Sequence, residues 1–156
     1  MNIINALISI PIYTLENESY PIPIDENYDY WIPIITTFLL KANKVEIHCW
    51  DEEREIIDKI NKHPKLAFEI DKEDNLTIFK GSLSAALTNL LLTNYSSENN
   101  RFKWFTINLL HENKTLLHAG HWATEFLIAN FSNDDVNLIK NKTPIHTRFH
   151  LYEDKI

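Results

Sequence analysis

The apolar residues of this chain fall into short runs of two kinds, and the spacing inside each run sets the element expected there. The isoleucine-rich segment NIINALISIPIY (residues 2–13) and the segment KVEIHCW (44–50) read as strands, and IHTRFHLYE (145–153) alternates cleanly and reads as another. KLAFEID and NLTIFK (65–71 and 75–80) flank Lys72-Glu73-Asp74 as a hairpin, and residues 101–111 and 115–122 form a second hairpin around Glu112-Asn113-Lys114. Ala119-Gly120-His121 marks a bulge or a turn into a further strand, 124–131.

Helical spacing governs the remaining runs. DYWIPIITTFLLKA (29–42) is long enough for a helix, with Asp29 as its cap and Pro33 tolerated near the first turn. Asp51 caps a second helix, with Glu52, Glu53 and Glu55 where the helix dipole favours carboxylates, Ile56, Ile57 and Ile60 on one face, and Pro64 as the stop. Gly81-Ser82 opens a third, carrying Leu83, Ala86, Leu87, Leu90 and Leu91. Ser132 and Asp135 form a capping-box-like pair before a short fourth helix that runs to about Asn141. Residues 14–27 and 94–100 are polar loops, and no repeat or linker divides the chain. The expectation is one α+β domain over residues 1–156, with a mainly antiparallel sheet and three to four helices.

Composition narrows the function. At 156 residues and 44% apolar content the chain buries about 70% of its unfolded surface and needs no staples. Only two glycines occur, Gly81 and Gly120, so neither a dinucleotide fingerprint nor a P-loop can be written, and no G-x-S-x-G is present. Cys49 is the single cysteine, in an apolar strand context, which predicts a buried, inert thiol and a reducing compartment. MNIINALISIPIYT has no basic n-region and no small-residue cleavage site, and no run of about 18 apolar residues exists, so the expected location is cytoplasmic with no membrane span.

The net charge of −7 is uneven: residues 1–80 hold 15 acidic and 8 basic side chains, whereas residues 81–156 hold 7 of each. Such a balance argues against a nucleic-acid partner, which needs a basic face, and favours a basic protein partner.

Two constellations could carry chemistry. Five histidines, His111, His118, His121, His146 and His150, crowd the last third. His146 and His150 lie about 13 Å apart along a strand, too far for one metal, and a regular strand sends His118 and His121 to opposite faces. No metal site or cofactor is therefore expected. His118, His121 and Glu125 remain the candidates for acid–base work in a small hydrolase, with or without a metal.

The other constellation is ESYPIPIDENYDYW (18–31), with four carboxylates, four aromatic rings and no lysine or arginine. Tyrosine and tryptophan anchor interfaces, and charges steer association. Glu18, Asp25, Glu26, Tyr28, Asp29, Tyr30 and Trp31 are thus the candidate partner-binding residues, suited to plugging a cationic cleft.

A small, acidic, cysteine-poor α+β chain resembles the bacterial immunity proteins that neutralise polymorphic or contact-dependent toxins. The segment LLHENKTLLHAGHWATEFLIANFSNDDVNLIK (109–140) is similar in style to them: strand, polar turn, strand, then S-x-x-D and a short helix. The resemblance implies a cytoplasmic, non-catalytic antitoxin that binds a cognate toxin, of basic nuclease type. A phage-encoded inhibitor of a host defence protein would share these features. A structural adaptor, or a homodimer pairing the edge at residues 145–153, is the remaining alternative.

Overall fold

A computed structural model describes residues 3–154. Among these the chain forms β1 (Ile3–Ser9), β2 (Ile12–Tyr13), β3 (Ile22–Pro23), α1 (Trp31–Leu39), β4 (Lys44–Trp50), α2 (Arg54–Asn61) and β5 (Glu69–Glu73). There follow β6 (Leu76–Ser82), α3 (Ala85–Thr93), β7 (Thr106–His111), β8 (Lys114–Gly120), β9 (Glu125–Ile128), α4 (Asn133–Lys142) and β10 (Arg148–Asp154). Eight strands make one sheet in the order β10-β1-β9-β8-β7-β4-β6-β5, with every neighbouring pair antiparallel. The expected α+β domain with a mainly antiparallel sheet is the fold observed.

Period-two alternation divides the sheet into two faces. One carries Ala6, Ile8, Val45, Ile47, Cys49, Phe79, Ile107, Leu109, Leu117, Ala119, Phe126 and Ile128, all buried, against which the helices set Trp31, Ile34, Ile35, Phe38, Ile60, Leu87, Leu91, Val136 and Ile139. These side chains belong to one continuous cluster. Cys49 lies in it, and burial pushes its thiol up to about 12, so it stays protonated. The other face is mostly polar, with Glu46, His48, Lys80, Asn108, His118, Glu125 and His150. Strands β10 and β5 are the edges. All five residues of β5 are exposed and four are charged, which blunts pairing with another chain.

Local chemistry explains where the elements stop. Pro11 has no N–H for a ladder, so the first expected strand breaks after Ser9; Ile12–Tyr13 turns away to pair with Ile22–Pro23 in a two-stranded sheet. Asn2, included in that expected strand, lies outside the described residues. Glu112 and Asn113 both have positive φ, the conformation of a two-residue type I′ hairpin turn. Ser132 accepts from the Asp135 N–H at 3.1 Å, as its capping pattern predicts, and Ser84 caps α3 by accepting from Leu87 N–H. Asp29 and Asp51 do not cap their helices. Tyr30 and Glu53 hold those positions with no side-chain bond to the helix N–H groups, and Asp51 instead binds Lys72 and Thr77.

Candidate partner-binding cleft

The acidic-aromatic segment does not present its rings to solvent. Trp31 is 0% exposed, Tyr30 1% and Tyr28 5%. The Trp31 indole stands edge-on to Phe102 at 4.7 Å and donates to the Leu91 carbonyl at 2.9 Å. Tyr28 packs on Phe102, and Tyr30 meets Phe126 edge-on at 6.0 Å. The expectation that these three rings contact a partner is therefore corrected: together they bury far more apolar area inside the domain than they could at a rim. Glu18, Asp25, Glu26 and Asp29 do remain on the surface. Glu18 pairs with Arg101 at 2.7 Å, and Glu26 accepts from the Tyr13 hydroxyl.

Other rings take the exposed role. Tyr20 lies 4.9 Å from Trp122, Trp122 lies 4.8 Å from Phe105, and Phe105 lies 4.8 Å from Trp50. All four are half-buried, so each shows part of a face to solvent. The Arg101 guanidinium covers the outer Tyr20 ring at 4.9 Å. Alongside this row opens a cleft of about 620 Å³, lined by Ser19, Trp50, Asp51, Glu52, Asn75, Phe105, His121 and Trp122. It sits where the end of β4, the β5–β6 turn and the β8–β9 turn come together; the Asp51 N–H donates to the Asn75 carbonyl at 2.8 Å to close one side.

The β8–β9 turn is the unusual element. His121, Trp122 and Ala123 all have φ between 48° and 63°. For residues with a Cβ this left-handed conformation costs about 1–2 kcal/mol each. Surrounding bonds hold it. Trp122 N–H donates to the Phe105 carbonyl at 3.0 Å, Thr124 N–H to Gly120 at 3.2 Å, and the Thr124 hydroxyl to the His121 carbonyl at 2.8 Å. From the core side, the buried Tyr30 hydroxyl donates to the Ala123 carbonyl at 2.6 Å. The turn thus places Trp122 and His121 on the cleft, with His121 5.7 Å from Phe105, while Ala123 stays in the core. Backbone strain held in this way is a mark of functional sites.

The cleft is acidic. Glu53 accepts from Trp50 N–H at 2.9 Å and from the Trp122 indole at 3.3 Å, tying the wall together; burial raises its carboxyl above the ordinary range despite those bonds. Asp51 is held below its ordinary range by Lys72, which donates to it at 2.7 Å. Glu52 is exposed and forms no ion pair among the described residues. Rings next to carboxylates suit a cation, which the aromatic faces attract and the acids neutralise.

His121 and His118 occupy adjoining places, near enough for the charges of His121 and Glu125 both to act on His118. His121 belongs to the cleft. His118 lies on the polar face of the sheet, in a hydrogen-bonded chain: His118 Nδ1 to Asn108 Oδ1 at 2.7 Å, Asn108 Nδ2 to Glu46 Oε1 at 3.3 Å, and Glu46 to His48 at 3.2 Å. Its ring covers Gly120, where an added Cβ would come within 2.9 Å of Nε2. Glu125 stands opposite Gly120 on β9. Burial lowers the His118 pKa, and the nearby His48 adds to that. Among the described residues no group of three metal-ligating side chains converges, and no helix is long and apolar enough to cross a membrane.

Sequence reasoning missed Tyr20, Trp50 and Phe105 as partners of Trp122, because 17 to 102 residues separate them from it along the chain. The one local signal was the histidine–tryptophan pair after Gly120. Comparison with known proteins gives no matching family model, no matching curated protein and no matching solved structure.

His121 is exposed, so His121→Gly relieves left-handed strain without emptying the core; it should raise stability by about 0.5–1 kcal/mol in urea unfolding. A folded-state pKa below the ordinary 6.5 means the fold favours neutral His118. Its contribution should be complete above about pH 6.5 and fall as pH drops below that value. Unfolding midpoints at pH 7.5 and 5.5 should therefore differ more for the parent chain than for His118→Gln.

Proposed function

We propose that this chain is a binding protein of the immunity-protein or antitoxin kind, acting in the cytoplasm without catalysis of its own. In this reading it blocks a basic toxin domain, of nuclease type, by accepting its lysine or arginine side chains in the aromatic cleft. The observation that carries the reading is the row Tyr20–Trp122–Phe105–Trp50, bordered by Asp51, Glu52 and Glu53, with Trp122 placed in it by a strained turn. A central cluster of tryptophan and tyrosine with charges around it is the composition of interface hot spots. The surface acids Asp25, Glu26 and Asp29 add to the field that speeds encounter with a cationic partner, whereas the charge of Glu18 is met by Arg101. The single buried cysteine accords with a reducing cytoplasm.

A small hydrolase is the second reading, favoured by the His118–Asn108–Glu46–His48 chain, in which burial keeps His118 neutral at pH 7. It requires a substrate on the polar sheet face rather than in the cleft, and an activity lost in His118→Gln.

The immobilised protein should retain one stoichiometric basic protein from a lysate of the source cell and release it as salt rises. Trp122→Ala should weaken that complex by about 30-fold or more, the loss expected of a hot-spot ring. Glu52→Lys should slow association and flatten its salt dependence, read by surface plasmon resonance. An affinity unmoved by Trp122→Ala would remove the cleft from the interface.

A further inference from the structure

A second cavity, of about 220 Å³, lies between α2, α3 and the segment leading into β7, remote in character from the acidic cleft. Its apolar walls are Ile56, Ile60, Leu66, Leu90 and Trp104. Its polar lining is Lys59, Lys103, His63 and Asn94, with no carboxylate. In a chain of net charge −7 this is a local inversion of sign.

Lys103 is the unusual member. Its stem is buried, with only 8% of the residue exposed, while its ammonium reaches the rim, where it donates to Oδ1 of the exposed Asn94 and joins no ion pair among the described residues. Lys59 adds a like charge; its own contact with Glu55, at 4.0 Å between two highly exposed side chains, neutralises little. A cation beside apolar walls with no counter-charge is less well solvated than one in open water, which favours an anion next to it. Burial and Lys59 both push the Lys103 pKa down, the sign of a cation lacking its partner.

We propose that this cavity binds a small apolar carboxylate, whose anionic head pairs with Lys103 and Lys59 and whose hydrocarbon body fills the space over Trp104. Size sets the class. The cavity exceeds the roughly 150 Å³ that holds benzene and falls short of the roughly 300 Å³ typical of drug-sized ligands. One aromatic ring with a short acid arm fits it. Because α2 begins beside Glu53 and the cleft, an occupant would brace the helix that follows the acidic wall.

The probe is 3-phenylpropionate, with uncharged 3-phenylpropanol as its control, titrated into the full chain by calorimetry. The acid should bind at least about tenfold more tightly than the alcohol, the gain of one charge-assisted bond. Lys103→Met should erase that preference and keep alcohol binding, because the partner of the anionic head is gone while the apolar walls remain. Should Lys103→Met not fold, Lys59→Ala on the surface should weaken the acid two- to threefold and leave the alcohol unchanged. Trp122→Ala should leave both affinities unchanged. Equal affinity for acid and alcohol, no saturable binding of either, or acid binding undiminished in the lysine variants would overturn the proposal.

Discussion

One buried hydrogen bond joins the aromatic core to the strained turn at the cleft: the Tyr30 hydroxyl on the Ala123 carbonyl, at 2.6 Å. On one side of it stands the aromatic core that secures α1, with Tyr28, Tyr30 and Trp31 packed on Phe102 and Phe126. On the other stands the left-handed turn that carries His121 and Trp122. Left alone, the turn would relax to ordinary φ values, since no glycine occupies its three strained positions. The core therefore stabilises a conformation that the local sequence disfavours, and the cleft inherits its shape from that.

This arrangement answers why so many carboxylates and rings share residues 18–31. The two kinds of side chain serve different purposes. Tyr28, Tyr30 and Trp31 point inward and fasten the segment; Glu18, Asp25, Glu26 and Asp29 point outward. Tyr20 alone joins the exposed ring row. The acidity of the first half gathers in this loop, around the start of α2 and along the β5 hairpin, and the aromatic surface lies beside the first two.

Short-range rules recovered most of the elements. The KVEIHCW strand, the Ser132 cap and the Glu112-Asn113 turn are each decided by neighbours within a few residues, and each is found where the pattern puts it. Pro11 and Asp51 show where that reasoning fails. The break at Pro11 depends on Ile22–Pro23 offering a new partner, and Asp51 leaves its helix because Lys72 and Thr77, 21 and 26 residues on, bind it better. The cleft was illegible for the same reason. Its rings come from four separate stretches, and ring composition in a segment does not tell which way the rings point. Lys103, with no ion pair among the described residues, was equally hidden, since the burial of a lysine stem is a tertiary fact.

The four tryptophans divide cleanly between the two roles: Trp31 and Trp104 are buried, whereas Trp50 and Trp122 line the cleft. Their indole N–H signals in a ¹⁵N-labelled sample, followed while an oligo-arginine peptide is added, show whether the cleft takes a cation. The account predicts that the Trp50 and Trp122 signals move in a saturable, salt-sensitive way while those of Trp31 and Trp104 stay in place. Immobile Trp50 and Trp122 signals at saturating peptide would contradict it.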